Sequence, residues 1–256
     1  MCVLGGTGEP LSLSTDESRQ VIDTVATAAQ GELKIIVGCL GSSQADIITL
    51  GRHACSVGAE AAMILPPYFV VPTPSHITRH FAEIAERVDL PLVLFNSPAR
   101  AGTTLGVEHI LSLIDAIPSV VGIKDAGADM IAATELIRPA PAHFALLQGL
   151  DELILPTLAM GGTGVIVSGA CLVPRLVVEL SAAFHAGELE RARELQFALM
   201  PLCEAIYREP NPGALKVALA MAGRDAGPTR APIGPIEPET RAMVEQMMSD
   251  LGDWTS

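Results

Sequence analysis

Apolar residues in this chain come in short unbroken runs: Cys2-Val3-Leu4, Ile35-Ile36-Val37, Ala62-Met63-Ile64-Leu65, Leu92-Val93-Leu94-Phe95, Val120-Val121-Gly122-Ile123, Phe144-Ala145-Leu146-Leu147 and Val165-Ile166-Val167. Continuous rather than alternating hydrophobicity predicts strands buried on both faces, hence a parallel sheet. The intervening stretches are amphipathic, with helix starts at Ser14-Thr15-Asp16-Glu17, Ser42-Ser43 and Pro74-Ser75. Each run plus its helix has the length of one βα unit. The repetition predicts an α/β fold, a (β/α)8 TIM-type barrel of which seven strands are visible and the first unit is absent, rather than an open doubly wound sheet. Further helices are expected near 174–186, 188–207, 211–222 and 237–250, the last two separated by a Gly/Pro-rich connector. The expected division is a barrel over 1–186 and a helical region over 187–256.

Composition narrows the function classes. Of 256 residues, 49% are hydrophobic and 18% charged, enough apolar material for a full core. A formal charge of -13 argues against nucleic acid or an anionic membrane as partner. No stretch approaches the ~20 apolar residues of a membrane span. Five cysteines without a C-x-x-C pair read as reduced thiols, and with no leader visible the expected compartment is the cytoplasm. His76 and His80 have the i, i+4 spacing of a zinc pair but no third ligand pattern. No metal and no cofactor are expected.

Lys124 is one of only three lysines. It ends an apolar run, at the face where barrel enzymes carry their chemistry, whereas Lys34 precedes a strand and Lys216 falls in a late helix. An amine desolvated beside an apolar strand becomes a carbonyl nucleophile, the need of a Schiff-base enzyme. A snorkelling lysine fits the same position. Gly5-Gly6-Thr7-Gly8-Glu9, after the first run, is a turn whose N–H groups can cradle a carboxylate, or a plain tight turn. Arg100, in Phe95-Asn96-Ser97-Pro98-Ala99-Arg100-Ala101-Gly102, sits where a guanidinium can clamp a second anion. Gly161-Gly162-Thr163-Gly164 precedes its strand and reads as a tight turn.

Together GGTGE at 5–9, LPPY at 65–68, FNSPARAG at 95–102, GIKD at 122–125, QGLDE at 148–152, GGTGVIV at 161–167 and EPNP at 209–212 resemble, in order and spacing, the dihydrodipicolinate synthase / N-acetylneuraminate lyase family. The resemblance implies a Schiff-base lyase on a pyruvate-type 2-oxo acid, assembled as a homo-oligomer (dimer or tetramer), with Lys124 as the imine-forming residue. It implies that Gly6, Thr7 and Ile166 border the oxo acid and that Arg100 holds a distal carboxylate. The same imine also serves a 5-dehydro-4-deoxyglucarate dehydratase-like dehydratase or deaminase, and a barrel that binds oxo acid without turnover is a further reading. Three hydroxyl-bearing positions of the family's proton relay read Gly6, Phe69 and Phe95 here. The imine is therefore expected to form while condensation of pyruvate with aspartate semialdehyde is barely measurable, with Ser97, Ser168 or a bound water as substitute proton carriers.

Overall fold

The computed structural model describes residues 1–255. Strands and helices alternate as β1 (Cys2–Val3), α1 (Thr15–Ala29), β2 (Ile36–Gly38), α2 (Gln44–Ser56), β3 (Ala61–Ile64), α3 (Pro74–Ala85), β4 (Leu92–Asn96) and the short α4 (Pro98–Ala101). Then follow α5 (Val107–Ala116), β5 (Val120–Asp125), α6 (Met130–Ile137), β6 (Ala145–Gln148), α7 (Ile154–Ala159) and β7 (Gly164–Val165). The chain ends in α8 (Pro174–His185), α9 (Leu189–Ile206), α10 (Gly213–Met221) and α11 (Pro238–Leu251). The seven strands form one sheet in chain order, and β1 to β5 pair in parallel with their neighbours. Strand-helix alternation around a parallel sheet in sequence order is the TIM-type α/β fold.

The helix starts follow local chemistry. Ser14 and Glu17 form a reciprocal capping box on α1: the Glu17 amide donates to Ser14 Oγ at 3.2 Å, and the Ser14 amide to Glu17 Oε2 at 2.8 Å. Asp129 caps α6 by accepting from the amides of Ile131 and Ala132. Pro74 opens α3, where its missing N–H costs nothing. Every residue of β3 and of β4 is buried, as the unbroken apolar runs require.

Packing divides the chain into two compact units, Met1–Leu147 and Gln148–Ser256. The first has a core of strand residues such as Val37, Ile64, Leu94 and Ile123 against Ile22, Phe81 and Leu113 from the helices. Two glycines in it are required by space: a side chain on Gly38 would strike the carbonyl of Leu4, and one on Gly122 would lie 2.7 Å from the carbonyl oxygen of Ala145. The second unit is built around Leu176, Leu180, Leu195, Leu199, Leu202 and Val244.

The last apolar run behaves differently from its sequence reading. The strand predicted over Val165–Val167 is only Gly164–Val165, although the Ile166 amide still donates to the Gln148 carbonyl at 2.8 Å. The chain leaves the ladder there because a 3-10 turn, Gly169–Cys171, begins four residues after Val165 on the carboxyl of Asp151. Among the described residues no helix is long and apolar enough to cross a membrane.

Candidate active site

The carboxyl ends of β4 and β5 bring the first chemistry together. Their register aligns Phe95 with Lys124 and Asn96 with Asp125. Side chains alternate across a sheet, so Phe95 and Lys124 share one face while Asn96 and Asp125 share the other. Lys124 is 9% exposed, and its Nζ lies 4.4 Å from the centroid of the Phe95 ring. A ring face at that distance attracts a cation, whether an ammonium or an iminium formed on the same nitrogen.

The opposite face is a polar lock. Asn96 Nδ2 donates to Asp125 Oδ1 at 2.8 Å, the Gly127 amide donates to the same oxygen at 3.2 Å, and Asn96 Oδ1 accepts from the Leu105 amide at 3.1 Å. Burial pushes the Asp125 carboxyl above its ordinary range, while the Asn96 and Gly127 hydrogen bonds pull it back. The lock joins β4, β5 and the segment entering α5, and thereby fixes the backbone from which Phe95 and Lys124 project. This pair escaped the sequence reading: Asn96 and Asp125 stand inside quoted motifs, yet nothing in a linear string aligns them.

Gly6 and Thr7 are half-buried in a 3-10 turn, Gly6–Gly8, closed by the Gly8 amide donating to the Gly5 carbonyl at 2.8 Å. Arg100, exposed on α4, reaches this turn, its Cζ lying 4.0 Å from the point where a Cβ on Gly6 would stand. Residues almost a hundred positions apart, read separately as anion binders, thus come side by side. Ser97 is 4% exposed immediately before α4. Tyr68 is turned toward the Leu40 carbonyl, 3.4 Å away. Beside it Phe69, Val70 and Val71 are exposed, Phe69 by 95% and in a left-handed backbone conformation of φ 71°.

The other lysines have different company. Lys34 pairs with Glu60 at 3.9 Å on the surface, and Lys216 donates to the Pro228 carbonyl at 2.9 Å. Ile166 and Ser168 belong to the second unit, in the segment between β7 and the Gly169 turn. In that unit Asp151, fully buried, accepts from the Tyr207 hydroxyl on Oδ2 at 2.8 Å and from the Gly169 amide on Oδ1 at 2.9 Å. His76 and His80 lie on α3, and among the described residues no group of three or more potential metal ligands gathers.

Known proteins resemble this arrangement along its whole length. Residues 1–251 match the model of the dihydrodipicolinate synthetase family. A 4-hydroxy-tetrahydrodipicolinate synthase of Methanopyrus kandleri is 37% identical over 248 residues, covering 97% of this chain and 83% of that protein. A solved dihydrodipicolinate synthase superposes with TM-score 0.93 at 35% identity, over 98% of this chain and 86% of its own. The chloride-inhibited enzyme from Acinetobacter baumannii, solved in complex with pyruvate, superposes with TM-score 0.93 at 32% identity, over 98% and 86%.

Proposed function

The chain belongs to the dihydrodipicolinate synthetase family, and from that premise we propose that it is a lyase that holds a 2-oxo acid as an imine on Lys124. The observation that carries this reading is Lys124 itself: a buried amine at the carboxyl end of β5, with Phe95 under its nitrogen. The uncharged amine adds to the ketone carbon, water leaves, and the iminium nitrogen lies over the ring that attracts a cation. Withdrawal of electrons into the iminium then acidifies the neighbouring C–H, giving an enamine able to add to an aldehyde.

Gly6 and Thr7 take the oxo-acid carboxylate, and Arg100 binds a second anionic group. The relatives named as synthases and the neighbour with bound pyruvate support pyruvate as the oxo acid and the synthase condensation as the reaction. No observation favours a sugar-acid dehydratase, a deaminase or a binding protein without turnover. A cytoplasmic homo-oligomer, dimer or tetramer, completes the proposal; the exposed Phe69-Val70-Val71 run supports a partner surface.

Reduction with borohydride in the presence of pyruvate, followed by peptide mapping, tests the imine. The expected product is one modified peptide carrying Lys124; label on Lys34 or Lys216, or none with any 2-oxo acid, sinks the proposal. The hydroxyl-free ring of Phe95 sets a second expectation. A positioned acid–base group contributes about 10²- to 10⁴-fold, so Phe95→Tyr is expected to raise the condensation rate roughly tenfold while leaving pyruvate trapping unchanged. An unchanged or lower rate would show that the proton travels by another group, Ser97 or water.

A further inference from the structure

The second unit contains a partly buried polar chain with a direction. Asn211 Nδ2 donates to Ser168 Oγ at 3.2 Å. The Tyr207 hydroxyl donates to Asp151 Oδ2 at 2.8 Å, and it is also hydrogen-bonded to the Ser168 hydroxyl; with the phenol hydrogen committed to the carboxylate, Ser168 is the donor of that second bond. The other carboxylate oxygen accepts the Gly169 amide at 2.9 Å, and the Ser168 amide also donates to this carboxylate. Asp151 has no exposed surface, and its own carbonyl is held by Gln196 Nε2 at 3.0 Å. Gly169 is small because it must be: a Cβ there would stand 2.5 Å from Asp151 Oδ1. The chain therefore ties Ser168 and Gly169 to the turn Asp151–Leu153 and to Tyr207, the residue that follows α9.

We propose that Asp151, Tyr207 and Ser168 form a proton-switched latch, in which the protonation state of Asp151 sets the direction of the Ser168 hydroxyl and holds the segment that carries Ile166. The logic is donor counting. With Asp151 ionised, both its oxygens accept, Tyr207 must donate to it, and Ser168 is left to donate to Tyr207. With a proton on Oδ2 the carboxyl becomes a donor, the Tyr207 oxygen accepts from it, and the phenol hydrogen turns to Ser168 Oγ. The Ser168 hydrogen is then released from the chain. No covalent bond other than the new O–H forms or breaks.

The surroundings suit such a switch. Burial lifts the Asp151 carboxyl to about 6, against the opposing hydrogen bonds from Tyr207, Gly169 and Ser168. The titratable neighbours are Glu152 on the same turn, Cys203 from α9 and Tyr207 immediately after it. Burial, then the Asp151 charge, pushes the Tyr207 phenol far above its ordinary range, so it serves as a neutral donor or acceptor. The Cys203 thiol is likewise pushed up, chiefly by burial, and stays neutral. The sign follows: below about 6 the carboxyl is protonated and Ser168 is released; above it the carboxylate fixes the chain as drawn.

The latch stands on the hydrogen bonds; its bearing on turnover rests on the function proposed above. The chain has only two tyrosines, so full-length protein labelled with ¹³Cζ-tyrosine gives two resonances, assigned with Tyr68→Phe. The Tyr207 resonance is expected to titrate with a midpoint near 6, to keep that inflection in Glu152→Gln, and to lose it in Asp151→Asn. A flat Tyr207 resonance between pH 4.5 and 8 in unsubstituted protein, or an inflection that survives Asp151→Asn, overturns the latch, and the first of these needs no variant to fold. In the catalytic arm, Tyr207→Phe is expected to remove an inflection near 6 from the kcat/KM profile while borohydride trapping at Lys124 persists. Loss of trapping in unsubstituted protein defeats the proposed function and leaves the resonance titration to decide the latch.

Discussion

Lys124→Ala is expected to lower product formation by roughly 10⁴-fold or more, the scale on which a covalent nucleophile is missed. Lys124→Arg is expected to do the same, because a guanidinium stays protonated and forms no imine while keeping length and charge. The pair separates chemistry from folding. Arginine still offers a cation to the Phe95 ring, which now meets Lys124 Nζ at 4.4 Å, and the Asn96–Asp125 lock on the other face is untouched by either change. Lys124→Arg should therefore melt close to the unsubstituted protein. Steady-state rates, with pyruvate trapping read by mass spectrometry, check this; either variant retaining a tenth of the activity would remove Lys124 from the mechanism.

The largest structural effect is expected at Gly169. An added methyl would stand 2.5 Å from Asp151 Oδ1 and 3.0 Å from Leu202 Cδ2, and both of those residues are fully buried. Neither can step aside without loss. Asp151 would give up the Gly169 amide and its alignment with Tyr207, and Leu202 would open the core between α8 and α9. Overpacking plus a disturbed buried carboxyl places the cost of Gly169→Ala at about 2–4 kcal/mol. That corresponds to a fall in melting temperature of roughly 5–15 °C for a chain of this size. Gly234→Ala is the control, since a Cβ there meets nothing within 4 Å. Thermal melts of the two variants decide it: equal melting temperatures would mean that the Gly169 turn yields freely.

The α/β alternation was legible because burial leaves a one-dimensional trace. Strands covered on both faces must be apolar throughout, as β3 and β4 are, and helices between them must carry a stripe. The capping box at Ser14 and Glu17 was legible for the same kind of reason: its two partners are three residues apart. Lys124 could be singled out by rarity and by its place after an apolar run. The β7 run was read two residues too long, since hydrophobicity continues through Ile166 and Val167 while the ladder ends at Val165.

What the sequence by itself determined is thus the alternation of elements, the identity of the one lysine at a strand's carboxyl end, and the absence of hydroxyls at Gly6, Phe69 and Phe95. Only the tertiary structure decided which side chains meet. The β4–β5 register put Phe95 beneath the lysine nitrogen and Asn96 against Asp125, and the path of α4 carried Arg100 to Gly6. The end of α9 brought Tyr207 to Asp151, 56 positions away. The physical reason is range. Periodicity and capping act over a few residues, whereas register and the burial of a carboxyl are set by packing between segments far apart in the chain, each of which is compatible alone with many partners.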